Sequence, residues 1–120
     1  MKTSLVALIL ASGLASAATA QEVVRSDHDV SVASTAPGMM GGTAHLYVRE
    51  VKLAKPAGAS KGVVLFVHGA GTPAEVSFDV PTGDFSWMAY LARAGFDVFS
   101  MDLEGYGRST RPAEIGRAHV

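Results

Sequence analysis

The chain opens with an apolar run from Leu5 to Leu14, broken only by small residues. Gln21 to Asp27 is polar and has no clear period, which predicts an irregular segment over 21–28. Asp29-Val30-Ser31-Val32-Ala33-Ser34 then alternates, as a half-buried strand does. Pro37-Gly38 and Gly41-Gly42 punctuate a turn, and Ala44 to Leu53, with Tyr47, Val48 and Val51, reads as a second strand. Two short strands across a glycine-rich loop suggest an antiparallel pair. Lys55 to Ser60, holding Pro56 and Gly58, is a loop. Val63 to Val67 is apolar at every position and rich in β-branched residues, as in a parallel strand buried on both faces.

A loop with Pro73 and Pro81 follows, and then a helical stretch. Asp84 is the expected N-cap, its carboxylate accepting from first-turn amides. Trp87, Met88 and Leu91 form the expected buried stripe, and Gly95 the expected left-handed C-terminal cap. Phe96 to Leu103 is the next strand, with Phe96, Val98 and Phe99 to bury. Strand, helix, strand in this order implies a right-handed parallel crossover. The Trp87–Met88–Leu91 stripe is read as core, not as a cofactor box. One helix covers one face of such a sheet, so the fragment is expected to be incomplete as a folding unit.

Composition sharpens this picture in two places. Lys2, the apolar run, and the small residues Ala15-Ser16-Ala17 and Ala18-Thr19-Ala20 predict a secretory signal peptide over 1–20. Cleavage is expected after Ala20, with Ala17 the alternative, and the product is then secreted or periplasmic. The run is too short to span ~30 Å of hydrocarbon. The chain has no cysteine, so disulfides and thiolate metal sites are excluded. Residues 21–114 hold eight Lys/Arg against eleven Asp/Glu, and no basic stripe suited to nucleic acid or a membrane surface.

Candidate chemistry lies at the ends of the two parallel strands. His68-Gly69-Ala70-Gly71 ends the first, where α/β sheets place ligands and small residues allow close backbone approach. Asp102-Leu103-Glu104-Gly105-Tyr106-Gly107-Arg108-Ser109 ends the second. Together these motifs resemble the N-terminal strand–helix–strand of the alpha/beta-hydrolase superfamily, over about Val30 to Pro112. The resemblance implies an α/β fold: an antiparallel strand pair followed by the parallel crossover, the N-terminal portion of a larger sheet. It places the start of that domain at 29–113. It implies that His68 and Gly69 shape an oxyanion loop. Ala70 N–H is the first candidate donor and Gly71 N–H the second. It also implies that Asp102 anchors its turn through backbone hydrogen bonds.

The resemblance assigns no nucleophile, acid or base to this chain. No serine has glycine at both −2 and +2; Ser109 has Gly107 before it but Arg111 after it. Asp102 as triad acid conflicts with the family order of nucleophile, acid, histidine. The family's catalytic histidine lies late in the chain, so His68 is not the expected base. His28 and His45 are read as surface or strand residues, and no metal or cofactor site is expected. Each Gly-x-Gly lacks its third glycine: Ala74 and Thr110 stand there. The intact protein is expected to hydrolyse esters of small molecules with a serine nucleophile, and the 120-residue fragment to be inactive. Epoxide hydrolases and haloalkane dehalogenases, with aspartate as nucleophile, often have proline two places after His-Gly; this chain has Gly71. A non-catalytic hydrolase-like binding protein is the remaining alternative. Residues 114–120 resemble a translated sequencing adapter, so the native sequence is expected to depart near Ala113.

Overall fold

A computed structural model describes residues 21–112, so the predicted leader and the adapter-like tail lie outside the described residues. Strands β1 (Val23–Ala33), β2 (Thr43–Leu53), β3 (Val63–Val67) and β4 (Asp97–Met101) form one mixed sheet in the order β1-β2-β4-β3. β1 and β2 pair antiparallel along their whole length, from Val23 opposite Leu53 to Ala33 opposite Thr43. β4 runs antiparallel to β2 and parallel to β3. The expected antiparallel pair and parallel crossover are therefore present.

β1 starts at Val23, where an irregular segment was expected over 21–28. Arg25 and Asp27, half-exposed on the face of β1 toward the helices, answer charges on neighbouring elements instead of packing against apolar groups. An apolar period could not reveal such a strand. The crossover holds two helices, α1 (Ala74–Phe78) and α2 (Trp87–Arg93). α1 falls where only a loop was expected, because its N-terminus is satisfied from 28 residues away: Asp102 Oδ1 accepts from Ala74 N at 2.7 Å.

Ser86, not Asp84, caps α2. Its extended backbone leaves the hydroxyl to accept from Ala89 N at 2.9 Å. Asp84 instead pairs with Arg93. The helix therefore presents Met88, Ala89 and Ala92 inward, with Leu91 partly buried, while Trp87 stays 63% exposed. The expected stripe held Met88 and Leu91 correctly and Trp87 incorrectly. At the other end Gly95 has the expected positive φ, +100°. Phe96 N bonds Leu91 O and Gly95 N bonds Ala92 O, the pair of contacts that closes a Schellman motif.

The core joins Val51, Met88, Ala92 and Val98, with Val64, Phe66, Phe78, Leu91 and Phe96 packed around them. Phe66 stacks on Phe78 at 4.6 Å. Fully burying a side chain such as Met88 contributes about 1.5–3 kcal/mol. The other face of β3 is not covered: Val63, Leu65 and Val67 are 71%, 54% and 50% exposed. β3 is an edge strand with helices on one face, so its continuous apolar run is buried on that face alone.

Candidate functional site

The loops after β3 and β4 lie side by side and exchange hydrogen bonds. His68, 4% exposed, is the hub of the first loop. Its Nδ1 meets Gly69 O at 2.7 Å, and its Nε2 meets Leu103 N at 3.0 Å. A carbonyl oxygen can only accept and an amide N–H can only donate. The ring is therefore the Nδ1–H tautomer, with Nε2 as acceptor. Both nitrogens are occupied by backbone groups, which leaves neither for a substrate proton.

The Gly69 contact has a geometric consequence. Gly69 C=O and Ala70 N–H belong to one trans peptide, so they point in opposite directions. Holding the carbonyl on His68 turns the Ala70 N–H away from the ring. Gly69, Ala70, Gly71 and Thr72 are all exposed, and Gly71 has φ +114°. The Ala70 and Gly71 amides have no hydrogen-bond acceptor among the described residues.

Asp102 is the corresponding hub of the second loop. It is 2% exposed, and its two oxygens accept from Ala74 N at 2.7 Å and Arg108 N at 3.0 Å. Ser109 Oγ donates to Asp102 O at 2.6 Å and accepts from Tyr47 N at 2.9 Å. Hydrogen bonds to an ionised acceptor contribute about 1.5–3 kcal/mol each. Gly107, at φ +47°, closes the turn; a Cβ there would overlap the Asp102 carboxylate and stand 2.9 Å from Pro73 Cβ. The glycines of this motif thus shape a turn.

One feature was not anticipated from the sequence. Asp79, 2% exposed at the end of α1, accepts from Arg25 Nε at 2.8 Å, Arg25 Nη2 at 2.9 Å, Arg49 Nη1 at 3.2 Å and Ser86 Oγ at 2.6 Å. Arg49 also binds Asp27 and Glu75, and Arg108 binds Glu75 and packs over the Tyr47 ring. The network ties the β1–β2 hairpin to both helices. Burial by itself raises the Asp79 carboxyl, but the Arg25 fork, the Ser86 hydroxyl and the two guanidinium charges outweigh it and hold Asp79 below the ordinary carboxylate range. The hydrogen-bonded Arg49 guanidinium holds Asp27 low as well. Burial, followed by the Asp27 carboxylate, pushes the Tyr47 phenol up to about 12. Arg25, Asp27 and Arg49 recur at period two on paired strands, the one pattern that could have exposed the network.

His28 and His45 sit on opposite faces of the hairpin, paired with Glu50 and Asp29 respectively. Among the described residues, no helix is long and apolar enough to cross a membrane.

The topology and both strand-end loops meet an independent match: residues 62–119 fit the family model for the alpha/beta hydrolase fold. Over those residues the chain matches the alpha/beta-hydrolase superfamily. Among solved structures it is similar to a candidate lipase from Sulfolobus solfataricus, at 17% identity and TM-score 0.41, covering 67% of this chain and 23% of that one. It is also similar to a bacterial esterase, at 22% identity and TM-score 0.40, covering 93% and 34%. The chain thus spans about a quarter to a third of the length of these structures. No curated protein matches it closely enough to count as a relative.

Proposed function

We propose that this chain is the N-terminal part of an exported hydrolase that cleaves ester-like acyl bonds of small molecules. The observation that carries the reading is the amide of Ala70, an exposed residue at the carboxyl end of a parallel strand: it has no acceptor among the described residues, and the bond from His68 to Gly69 O turns it away from the His68 ring. Such a fixed donor stabilises the oxyanion that develops when a nucleophile adds to a carbonyl, and is worth roughly 3–4 kcal/mol in the transition state. Gly71 N–H is the second candidate. In this reading a serine outside the chain attacks the carbonyl carbon and a histidine takes its proton; collapse of the tetrahedral intermediate expels the alcohol, which receives that proton, and water then hydrolyses the acyl-serine to release the acid. Gly71, where proline often stands in aspartate-nucleophile relatives, favours serine. The predicted leader over 1–20 supports export.

The test is turnover of a p-nitrophenyl ester. The enzyme expressed from the full-length gene is expected to hydrolyse it and to be silenced by a serine-directed phosphonate. The 120-residue chain is expected to match the protein blank. A full-length enzyme that folds but neither turns over the ester nor labels with the phosphonate would overturn the reading.

A further inference from the structure

Gly105-Tyr106-Gly107 lacks the third glycine of a cofactor loop, yet its central ring has a defined partner. Tyr106 meets the His68 ring edge to face, with centroids 4.8 Å apart and planes at 63°. Both His68 nitrogens are taken by backbone, so the rest of the ring needs an apolar neighbour, and Tyr106 supplies one. The tyrosine sits in a turn closed by several hydrogen bonds. Tyr106 N donates to Leu103 O at 3.0 Å, and Ser109 N donates to Tyr106 O at 3.0 Å. Gly105 N donates to Thr110 O at 2.8 Å, and Asp102 closes the turn through Arg108 N.

We infer that Tyr106 is a positioning residue for the oxyanion loop, acting through His68. The path has three steps. The Tyr106 ring fixes the plane of His68. That plane aims Nδ1–H at Gly69 O. The held carbonyl then directs the Ala70 N–H outward. A ring that rocks loses the Gly69 contact and lets the Gly69–Ala70 peptide turn, which scatters the donor direction. The inference rests on the proposed acyl-transfer reading for its catalytic consequence. The contact itself is independent of that reading.

The experiment uses the full-length enzyme and its Y106F and Y106A variants, read by p-nitrophenyl ester kinetics and by nitrogen-15 spectra of the His68 ring. Y106F keeps the ring contact and is expected to match the parent in both. Y106A is expected to lose about tenfold in kcat with KM within about twofold, because a misaimed donor harms the transition state more than substrate binding. Its two His68 nitrogen resonances, distinct in the parent, are expected to move toward each other as the tautomer is released. A Y106A enzyme with unchanged kcat and unchanged nitrogen spectra overturns the inference. So does a Y106F enzyme as impaired as Y106A, which would put the effect on the hydroxyl. A parent with no esterase turnover overturns the functional reading; the spectra then still decide whether Tyr106 holds the ring.

Discussion

Replacing Asp79 tests whether the hairpin is held by charge. In Asp79→Ala the fork from Arg25, the bond from Arg49 and the bond from Ser86 all lose their acceptor. Removing one partner of a buried ion pair costs about 3–5 kcal/mol, since the opposite charge stays behind without compensation. Two facts reduce that figure. The Arg25 side chain is 40% exposed and recovers water, and Arg49 keeps Asp27 and Glu75. The expected loss is therefore about 3 kcal/mol, and about 2 kcal/mol for Asp79→Asn, which retains one acceptor. Urea unfolding of the full-length protein, followed by circular dichroism, measures both. Acid supplies a second arm. Asp79 is depressed in the folded state, so its contribution is complete above the unfolded carboxylate value of about 3.9 and is lost as pH falls through the lower folded value. The gap between parent and Asp79→Asn should thus be constant near neutrality and close below about pH 4. An Asp79→Ala penalty under about 1 kcal/mol, or a gap that persists undiminished at about pH 2, would refute the reasoning.

Two further substitutions probe single contacts. Gly107→Ala places a methyl group inside the Asp102 carboxylate at a left-handed φ, and is expected to cost about 3 kcal/mol or more, read as a lowered melting temperature or lost soluble yield; a parent-like melting curve would contradict the packing. Ser100, fully buried on β4, has the one buried side-chain polar atom without a partner among the described residues. Ser100→Ala is therefore expected to raise stability by about 1 kcal/mol in the same urea assay, and a loss would mean that the hydroxyl is bonded.

The sequence exposed those elements whose apolar period matched their geometry. β2, β3, β4 and the inner face of α2 were legible from Val51, Val64, Val98 and Met88, and the C-terminal cap from Gly95. β1 was legible only from Asp29 onward, because its first half carries Arg25 and Asp27, half-exposed and held in ion pairs, where an apolar period has nothing to register. α1 was hidden because its N-terminal amide is satisfied by Asp102, far away in the chain. Trp87 was misplaced because the buried face of α2 centres on Met88, Ala89 and Ala92, which leaves Leu91 on its flank and Trp87 on the solvent side. At the candidate site, His68, Gly69, Ala70, Gly71 and Asp102 were identifiable as residues. The orientation of the Ala70 peptide was not, since it depends on which group the His68 ring meets.

The two strand-end loops are tied by reciprocal exchange: His68 accepts from the backbone of the β4 loop, and Asp102 accepts from the backbone after the β3 loop. Each loop therefore holds one half of a reciprocal donor–acceptor exchange. In any chimera built from two relatives, a crossover between Ala74 and Asp102 separates these halves, although it leaves every strand and both motifs intact. The natural unit of exchange is the whole span from His68 to Ser109. Junctions before β3 or after Ser109 respect it, and one placed in the exposed segment between the helices, where a surface loop looks safest, does not.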